Sequence, residues 1–222
     1  MGLLFDCPQP MDAWLTQLKH HRAIAVIRVS DGEVGWHLAH AAAKGGMVCL
    51  EITWNSGQAP QLIAQLRREL PHCCIGTGTI LTPQQLQGAI AAGAQFCFTP
   101  HTNPDLIQLA RDQALPLIPG ALSPTEIVQA WQAGAATVKV FPVQALGGVS
   151  YIRSLQGPLQ EIPLIPTGGV NLENAADFLA AGAVAVGLSS ELFPLPLIGD
   201  RNWGAIAERV QTLVRRLSIP FG

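Results

Sequence analysis

Lys139 lies in the run Thr137-Val138-Lys139-Val140-Phe141-Pro142, a short β-branched, apolar stretch that reads as a buried strand. It is one of three lysines, and the other two, Lys19 and Lys44, sit in polar, helix-like surroundings. A buried ammonium is costly unless it is paired or neutralised. Desolvation lowers a lysine's pKa and makes the neutral amine a nucleophile toward carbonyl carbon. Lys139 therefore pairs with a carboxylate, snorkels out at the strand end, or is an amine that attacks carbonyls.

A second charged group occupies a similar run. Side chains of a strand alternate between its two faces. In Leu50-Glu51-Ile52-Thr53, Glu51 shares a face with Cys49 and Thr53, opposite Leu50 and Ile52. Lys139 likewise shares a face with Thr137 and Phe141, opposite two valines suited to packing under helices. Both charged groups are expected to point inward. Arg28 closes the run 24–27 and falls on the face of Ile24 and Val26. Gly76-Thr77-Gly78-Thr79 is expected to turn both of its threonines inward. An amine, an acid, a cation and hydroxyls in one cavity suit proton-assisted covalent chemistry at a carbonyl. The alternative is a Glu51–Lys139 or Glu51–Arg28 salt bridge of purely structural value, and buried pairs of that kind are weak stabilisers.

Two further turns suit an anion. Pro166-Thr167-Gly168-Gly169 and Gly187-Leu188-Ser189-Ser190 each close an apolar run. Glycines let backbone N–H groups approach a phosphate, and serine adds a hydroxyl donor.

The elements that must hold these groups follow one pattern of strand, turn and helix. Strands are expected over 24–29, 47–54, 73–80, 96–100, 115–120, 137–142, 163–169 and 184–190. Helical periodicity covers 33–44, 59–69, 82–92, 103–113, 124–132, 148–155, 171–181 and 202–217. Glycine follows several helices, as at Gly45, Gly93, Gly134 and Gly182. Near-continuous apolar strands alternating with helices indicate a parallel sheet covered on both faces. Eight such units make a single α/β domain over 1–222, a (β/α)8 TIM barrel, with an open doubly wound sheet as the alternative. The segment before residue 22 is expected to form an extra helix closing the bottom of the barrel, and 193–196 a loop leading to the last helix. Active sites of such barrels sit where the strands end, with phosphate held after the last two strands, and that is where the residues named above fall.

Composition narrows the classes. Hydrophobic residues are 49% of the 222 and charged residues 13%, with a net charge of −2. The absence of a basic run argues against nucleic acid as a partner, and no stretch approaches a membrane span. The start, Met1-Gly2-Leu3-Leu4-Phe5-Asp6-Cys7-Pro8, lacks the features of a signal peptide or a myristoylation pattern. The cysteines Cys7, Cys49, Cys73, Cys74 and Cys97 have no Cys-x-x-Cys spacing and read mainly as small buried hydrophobes in a reducing, cytoplasmic setting. No His/Asp/Glu cluster has metal-ligand spacing.

Several motifs keep a recognisable order. Leu50-Glu51-Ile52-Thr53, Gly76-Thr77-Gly78-Thr79-Ile80-Leu81-Thr82-Pro83, Ile118-Pro119-Gly120, Lys139-Val140-Phe141-Pro142, Gly147-Gly148 and Pro166-Thr167-Gly168-Gly169-Val170 resemble the 2-keto-3-deoxy-6-phosphogluconate (KDPG) aldolase family over about residues 20–193. The resemblance implies a class I aldolase of the Entner–Doudoroff pathway that cleaves 2-dehydro-3-deoxy-6-phosphogluconate to pyruvate and D-glyceraldehyde 3-phosphate. It implies Lys139 as the Schiff-base lysine and Glu51 as the general acid/base. It places Arg28, Thr79, Pro100 and Phe141 at the substrate and Thr167, Gly168, Gly169 and Ser190 at its phosphate. It further implies a homotrimer and no cofactor or metal. Asn55 stands where some members carry an arginine, which shifts carboxylate recognition toward Arg28. That change keeps the 6-phosphogalactonate epimer and 4-hydroxy-2-oxoglutarate open as substrates. Ser189 replaces a usual glycine, and its side chain either crowds or assists the phosphate. His101 is either a pocket donor or a solvated loop residue. A different phosphate-binding barrel enzyme, or an inactive barrel that only binds a metabolite, are the more distant readings.

Overall fold

The structure, a computed structural model, describes residues 11–218. The readings made on Met1–Pro8, Cys7 included, lie outside the described residues. Among the described residues nine short strands run β1 Ala23–Ile27, β2 Cys49–Thr53, β3 Cys74–Gly78, β4 Cys97–Phe98, β5 Leu117–Ile118, β6 Gly120–Ala121, β7 Val138–Val140, β8 Leu164–Pro166 and β9 Val186–Leu188. The helices are α1 Met11–His21, α2 Gly32–Lys44, α3 Ala59–Glu69, α4 Pro83–Ala91, α5 Pro104–Asp112, α6 Pro124–Gln132, α7 Val149–Leu159, α8 Ala175–Ala180, α9 Leu195–Gly199 and α10 Trp203–Leu217.

Every strand pairing is parallel. One run is ordered β5-β4-β3-β2-β1-β9 and a second β6-β7-β8. β5 and β6 are two halves of one expected strand, split at Pro119, which has no N–H to give a ladder. A parallel bridge between Thr167 and Gly187 joins the ends of β8 and β9. The product is a curled parallel sheet with helices outside it and α1 against its inner core.

Local chemistry explains where the helices start and stop. Thr82, Asn103 and Ser123 accept hydrogen bonds from first-turn amides, each followed by a proline whose missing N–H costs nothing there. Ser123 and Glu126 complete a reciprocal capping box. Gly93, Gly134 and Gly182 leave their helices at φ of +83°, +99° and +103°, a left-handed turn that glycine makes without steric cost.

Two expectations need correction. The helix expected over 171–181 is confined to α8. Asn171 Oδ1 accepts from the amides of Glu173 and Asn174 at 3.0 and 2.8 Å, which holds that stretch in a turn. The stretch 193–196 is not simply a loop, because α9 begins at Leu195 and carries Pro196 in its first turn.

The two faces of the sheet bury two separate cores. Leu50, Ile52, Val138, Val140, Leu164 and Val186 belong to the outer core beneath the helices. The inner core gathers Ile24, Cys49, Phe96, Phe98, Ile118 and Ile165 from the strands with Trp14 and Leu18 from α1. Trp14 stacks on Phe96 at 4.8 Å between centroids, and its Nε1 donates to Thr137 Oγ1 at 3.4 Å. Gly76 makes room for this stack, since a Cβ there would meet the Phe96 ring at 2.5 Å. Cys49, Cys73 and Cys97 are buried. Burial pushes the Cys49 and Cys73 thiols up to about 12 and about 11, which suits a packing role rather than a reactive one. Among the described residues no helix is long and apolar enough to cross a membrane.

Candidate active site

Alternation along β2 and β7 turns Glu51 and Lys139 away from the helices, as expected. Their neighbours Leu50, Ile52, Val138 and Val140 lie in the outer core, while Cys49 lies in the inner one. Both charged residues are buried, at 2% and 7% exposure. Lys139 Nζ sits 4.6 Å from the centroid of Phe141 and 5.6 Å from that of Phe98. Among the described residues neither Glu51 nor Lys139 forms an ion pair within 4.0 Å; the pairs present are His37–Glu33 and His40–Glu69. The salt-bridge alternative thus lacks its contact.

Electrostatics favour the neutral form of both groups. Burial holds the Lys139 amine below the ordinary lysine value, and the Arg28 guanidinium adds to the effect, while Glu51 opposes it. Burial also raises the Glu51 carboxyl, against the pull of Lys139 and Arg28. Both shifts run toward the forms that carbonyl addition followed by loss of water uses, an unprotonated amine and a proton-bearing acid.

Arg28 emerges exposed just past β1, and its Nη2 donates to Thr79 Oγ1 at 3.2 Å. Thr79 lies one residue past β3 at φ +62°, a left-handed conformation costly for a β-branched residue. That twist re-aims its side chain at the strand end. The expectation that Thr77 also points inward is wrong. Thr77 pairs in register with Ile52, and its hydroxyl donates to the Ile52 carbonyl at 2.7 Å. The inward positions of β3 are Gly76 and Gly78, whose added Cβ atoms would meet Phe96 and Glu51. Periodicity placed the hydroxyls one register off because the two glycines, not the threonines, occupy the crowded face.

The other expected residues lie on neighbouring strand ends and turns. Gly120 pairs in register with Lys139, and a Cβ on Gly120 would lie 2.5 Å from the Pro100 carbonyl carbon, so Pro100 flanks the lysine's neighbouring strand. A Cβ on Gly168 would lie 3.2 Å from the Phe141 ring, so the ring beside the amine also borders the glycine turn. Gly168 and Gly169 adopt φ of +83° and +95°. The carbonyls of Thr167, Gly168 and Gly169 accept from Val143 N, Gln144 N and Asn174 Nδ2 at 3.0, 3.1 and 2.9 Å. In a planar trans peptide the next N–H points opposite to its carbonyl, so the amides of residues 168–170 face away from that scaffold. The Thr167–Gly187 bridge sets this turn beside the one carrying Ser189 and the exposed Ser190. Ser189 itself is occupied: its hydroxyl donates to the Val26 carbonyl at 3.0 Å. Asn55 is exposed past β2, and His101 is half-buried, with its carbonyl accepting from Thr99 Oγ1 at 2.6 Å.

With this geometry in hand, sequence comparison decides the lineage. The family model described as KDPG and KHG aldolase matches residues 15–209. The chain belongs to the KDPG and KHG aldolase family. The 2-dehydro-3-deoxy-phosphogluconate aldolase of Haemophilus influenzae is 34% identical over 200 residues, covering 90% of this chain and 94% of that one. The KHG/KDPG aldolase of Escherichia coli K12 is 34% identical over 191 residues, covering 86% and 90%. Among solved structures, the KDPG aldolase of Legionella pneumophila superposes with a TM-score of 0.83 at 30% identity, covering 90% of this chain and 97% of that one. Pyruvate was captured in that crystal at low pH as a covalent carbinolamine. The family resemblance read from the motifs therefore holds.

In this member of the KDPG and KHG aldolase family, two residues that lie beside Lys139 or Glu51 are not among the candidates named from sequence. Phe98 supplies the second aromatic face beside Nζ, and strand alternation with Phe96 was the available signal. Gly78 lies against the Glu51 carboxylate, and no local pattern marks that glycine as different from Gly76.

Proposed function

We propose that the protein is a class I aldolase that cleaves 2-dehydro-3-deoxy-6-phosphogluconate to pyruvate and D-glyceraldehyde 3-phosphate. The observation that carries this reading is Lys139: a buried amine without an ion pair, in an aromatic pocket beside a buried carboxyl, in a chain of this family.

Neutral Lys139 attacks the C2 ketone and forms a carbinolamine. Glu51 delivers a proton to its hydroxyl, water leaves, and an iminium forms. Glu51, directly or through a water, then takes the C4 hydroxyl proton. The C3–C4 bond breaks, its electron pair flows into the iminium to give an enamine, and the phosphorylated aldehyde departs. Protonation of the enamine at C3 and hydrolysis release pyruvate and restore the free amine. Arg28 and Thr79 hold the carboxylate end, and Pro100 and Phe141 wall the pocket. Thr167, Gly168, Gly169 and Ser190 receive the phosphate through a hydroxyl pair and outward-facing amides. No step calls for a cofactor or a metal.

The same reading takes the whole chain as one (β/α)8 barrel. The Thr167–Gly187 bridge supports closure between β8 and β9, and Trp14 and Leu18 support α1 as the cover of its lower end. A cytoplasmic homotrimer working in the Entner–Doudoroff pathway fits the family. Exposed Asn55 keeps the 6-phosphogalactonate epimer and 4-hydroxy-2-oxoglutarate as alternative substrates, to be separated by comparing cleavage of all three. The primary test is mass spectrometry after incubation with pyruvate and sodium borohydride. A pyruvate-sized adduct confined to the peptide carrying Lys139 supports the Schiff-base reading. Folded protein without an adduct sends Lys139 back to a structural role and the chain to non-aldolase phosphate chemistry.

A further inference from the structure

Gly78 is the inward-facing residue at the end of β3, beside Thr53 in the β2 register and one inward position beyond Gly76, the partner of Glu51. A Cβ built on Gly78 would overlap Glu51 Oε1 and crowd its Cδ, with Cγ 3.1 Å away. The carboxyl group thus occupies the volume that any other residue at position 78 would fill. Backbone conformation does not explain the glycine, because Gly78 is absent from the positive-φ positions, unlike Gly168 and Gly169. Gly76 has a different neighbour, the Phe96 ring of the inner core. Two glycines two residues apart therefore make room for different things, an aromatic stack and an acid.

Glu51 lies almost wholly buried with no ion pair to fix its direction. The notch over Gly78 is the feature that lets the carboxyl lean along the sheet toward the strand ends, where Arg28 and Thr79 meet. We propose that Gly78 is a positioning residue that sets the direction of the Glu51 carboxyl for proton transfer. This rests on the role given to Glu51 above. It treats Gly78 as acting through that side chain and not through the substrate. Proton transfer depends on hydrogen-bond reach, so a displaced acid loses its effect while the amine beside it is unchanged.

The test is Gly78→Ala, read by three measurements on the full chain. Borohydride trapping of pyruvate, carried to its end point, reports Lys139. Exchange of the pyruvate methyl protons with deuterated water reports the acid/base step without needing the sugar phosphate. Circular dichroism reports the fold. The expected result is a folded variant that still traps pyruvate but exchanges about 10²-fold more slowly, in the range that one acid/base group supplies. Adding Gly78→Ala to Glu51→Gln should then change exchange less than about twofold, since both act through one group.

Exchange at the wild-type rate in Gly78→Ala overturns the inference, and so does a full additive loss in the double variant. If Glu51→Gln itself exchanges normally, the role of Glu51 fails instead. If Gly78→Ala does not fold, Glu51→Asp with Gly78→Ala decides, because the shorter acid withdraws from the added methyl. Recovery of the folded state supports the contact, and a double variant as unfolded as the single one overturns it.

Discussion

The interior of the curled sheet is filled in opposite ways at its two ends. Near the strand starts, α1 brings Trp14 and Leu18 onto Phe96, and the contents are neutral, stacked and satisfied, down to the bond from Trp14 to Thr137. Toward the strand ends, Glu51 and Lys139 are nearly as buried, yet neither has a charge partner within 4.0 Å. Burial at the first end is favourable by itself. At the second it disfavours the charged form of each group and leaves a reactive amine and acid. The packed end supplies stability, and the other end uses some of it to keep two ionisable groups out of solvent.

Lys139→Ala should break this contrast most sharply. It removes the proposed nucleophile, so pyruvate trapping should vanish and cleavage should fall by several orders of magnitude, with the fold intact. Retention of a tenth of the activity would remove Lys139 from the chemistry.

Glu51→Gln keeps the volume and removes the acid. Turnover should fall by roughly 10²- to 10⁴-fold while the lysine can still be trapped with pyruvate. The same variant tests the cost of burial. Because the folded carboxyl titrates above its ordinary 4.5, the native chain binds more protons than the unfolded one between 4.5 and that raised value. Its contribution is thus fully present below 4.5 and is lost as pH rises through the folded value. Glu51→Gln should therefore gain stability relative to the parent as pH rises from about 4 to about 8. Denaturant midpoints that keep a constant difference over that span would mean the carboxyl is not strained by burial. Lys139 runs the other way: its lowered value makes its own contribution improve with pH up to the ordinary 10.5.

Trp14→Ala probes the packed end. Loss of the stack on Phe96 should cost about 3–5 kcal/mol by chemical unfolding. Activity per folded molecule should change little, since the ring and hydrogen-bond contacts of Trp14 go to Phe96 and Thr137 and not to Glu51 or Lys139. A variant of normal stability but poor turnover would join the two ends that the structure separates.

Much of this was legible in the chain because period-two alternation is robust where each strand has one face under helices. Val138 and Val140 against Lys139, or Leu50 and Ile52 against Glu51, fix direction without any coordinates. Several helix ends were legible through the glycines that follow them, as at Gly93, Gly134 and Gly182. Alternation failed at β3, where glycines take the inward positions and Thr79 turns at positive φ after the strand has ended. Strand lengths also ran long: β7 and β8 end at Val140 and Pro166, whereas the apolar and glycine-rich patterns run on to 142 and 169. The space over Gly78 and the approach of Phe98 to Nζ depend on neighbouring strands, which no single segment encodes.

Ser189 marks the boundary between scaffold and site, and its variant carries the smallest expected effect. From sequence its hydroxyl stood beside the phosphate turn, able to crowd or to help. In the fold it donates to the Val26 carbonyl at 3.0 Å and ties the end of β9 to β1. Ser189→Ala should therefore cost only about 0.5–1.5 kcal/mol of stability, the net worth of one such bond. The KM for the phosphorylated substrate should stay within about twofold, whereas Ser190→Ala, if that hydroxyl meets the phosphate, should raise it by roughly tenfold, the equivalent of one charge-assisted bond. A KM that rises for Ser189→Ala instead would mean the side chain leaves Val26 when substrate binds, and would move the edge of the site one residue into the scaffold.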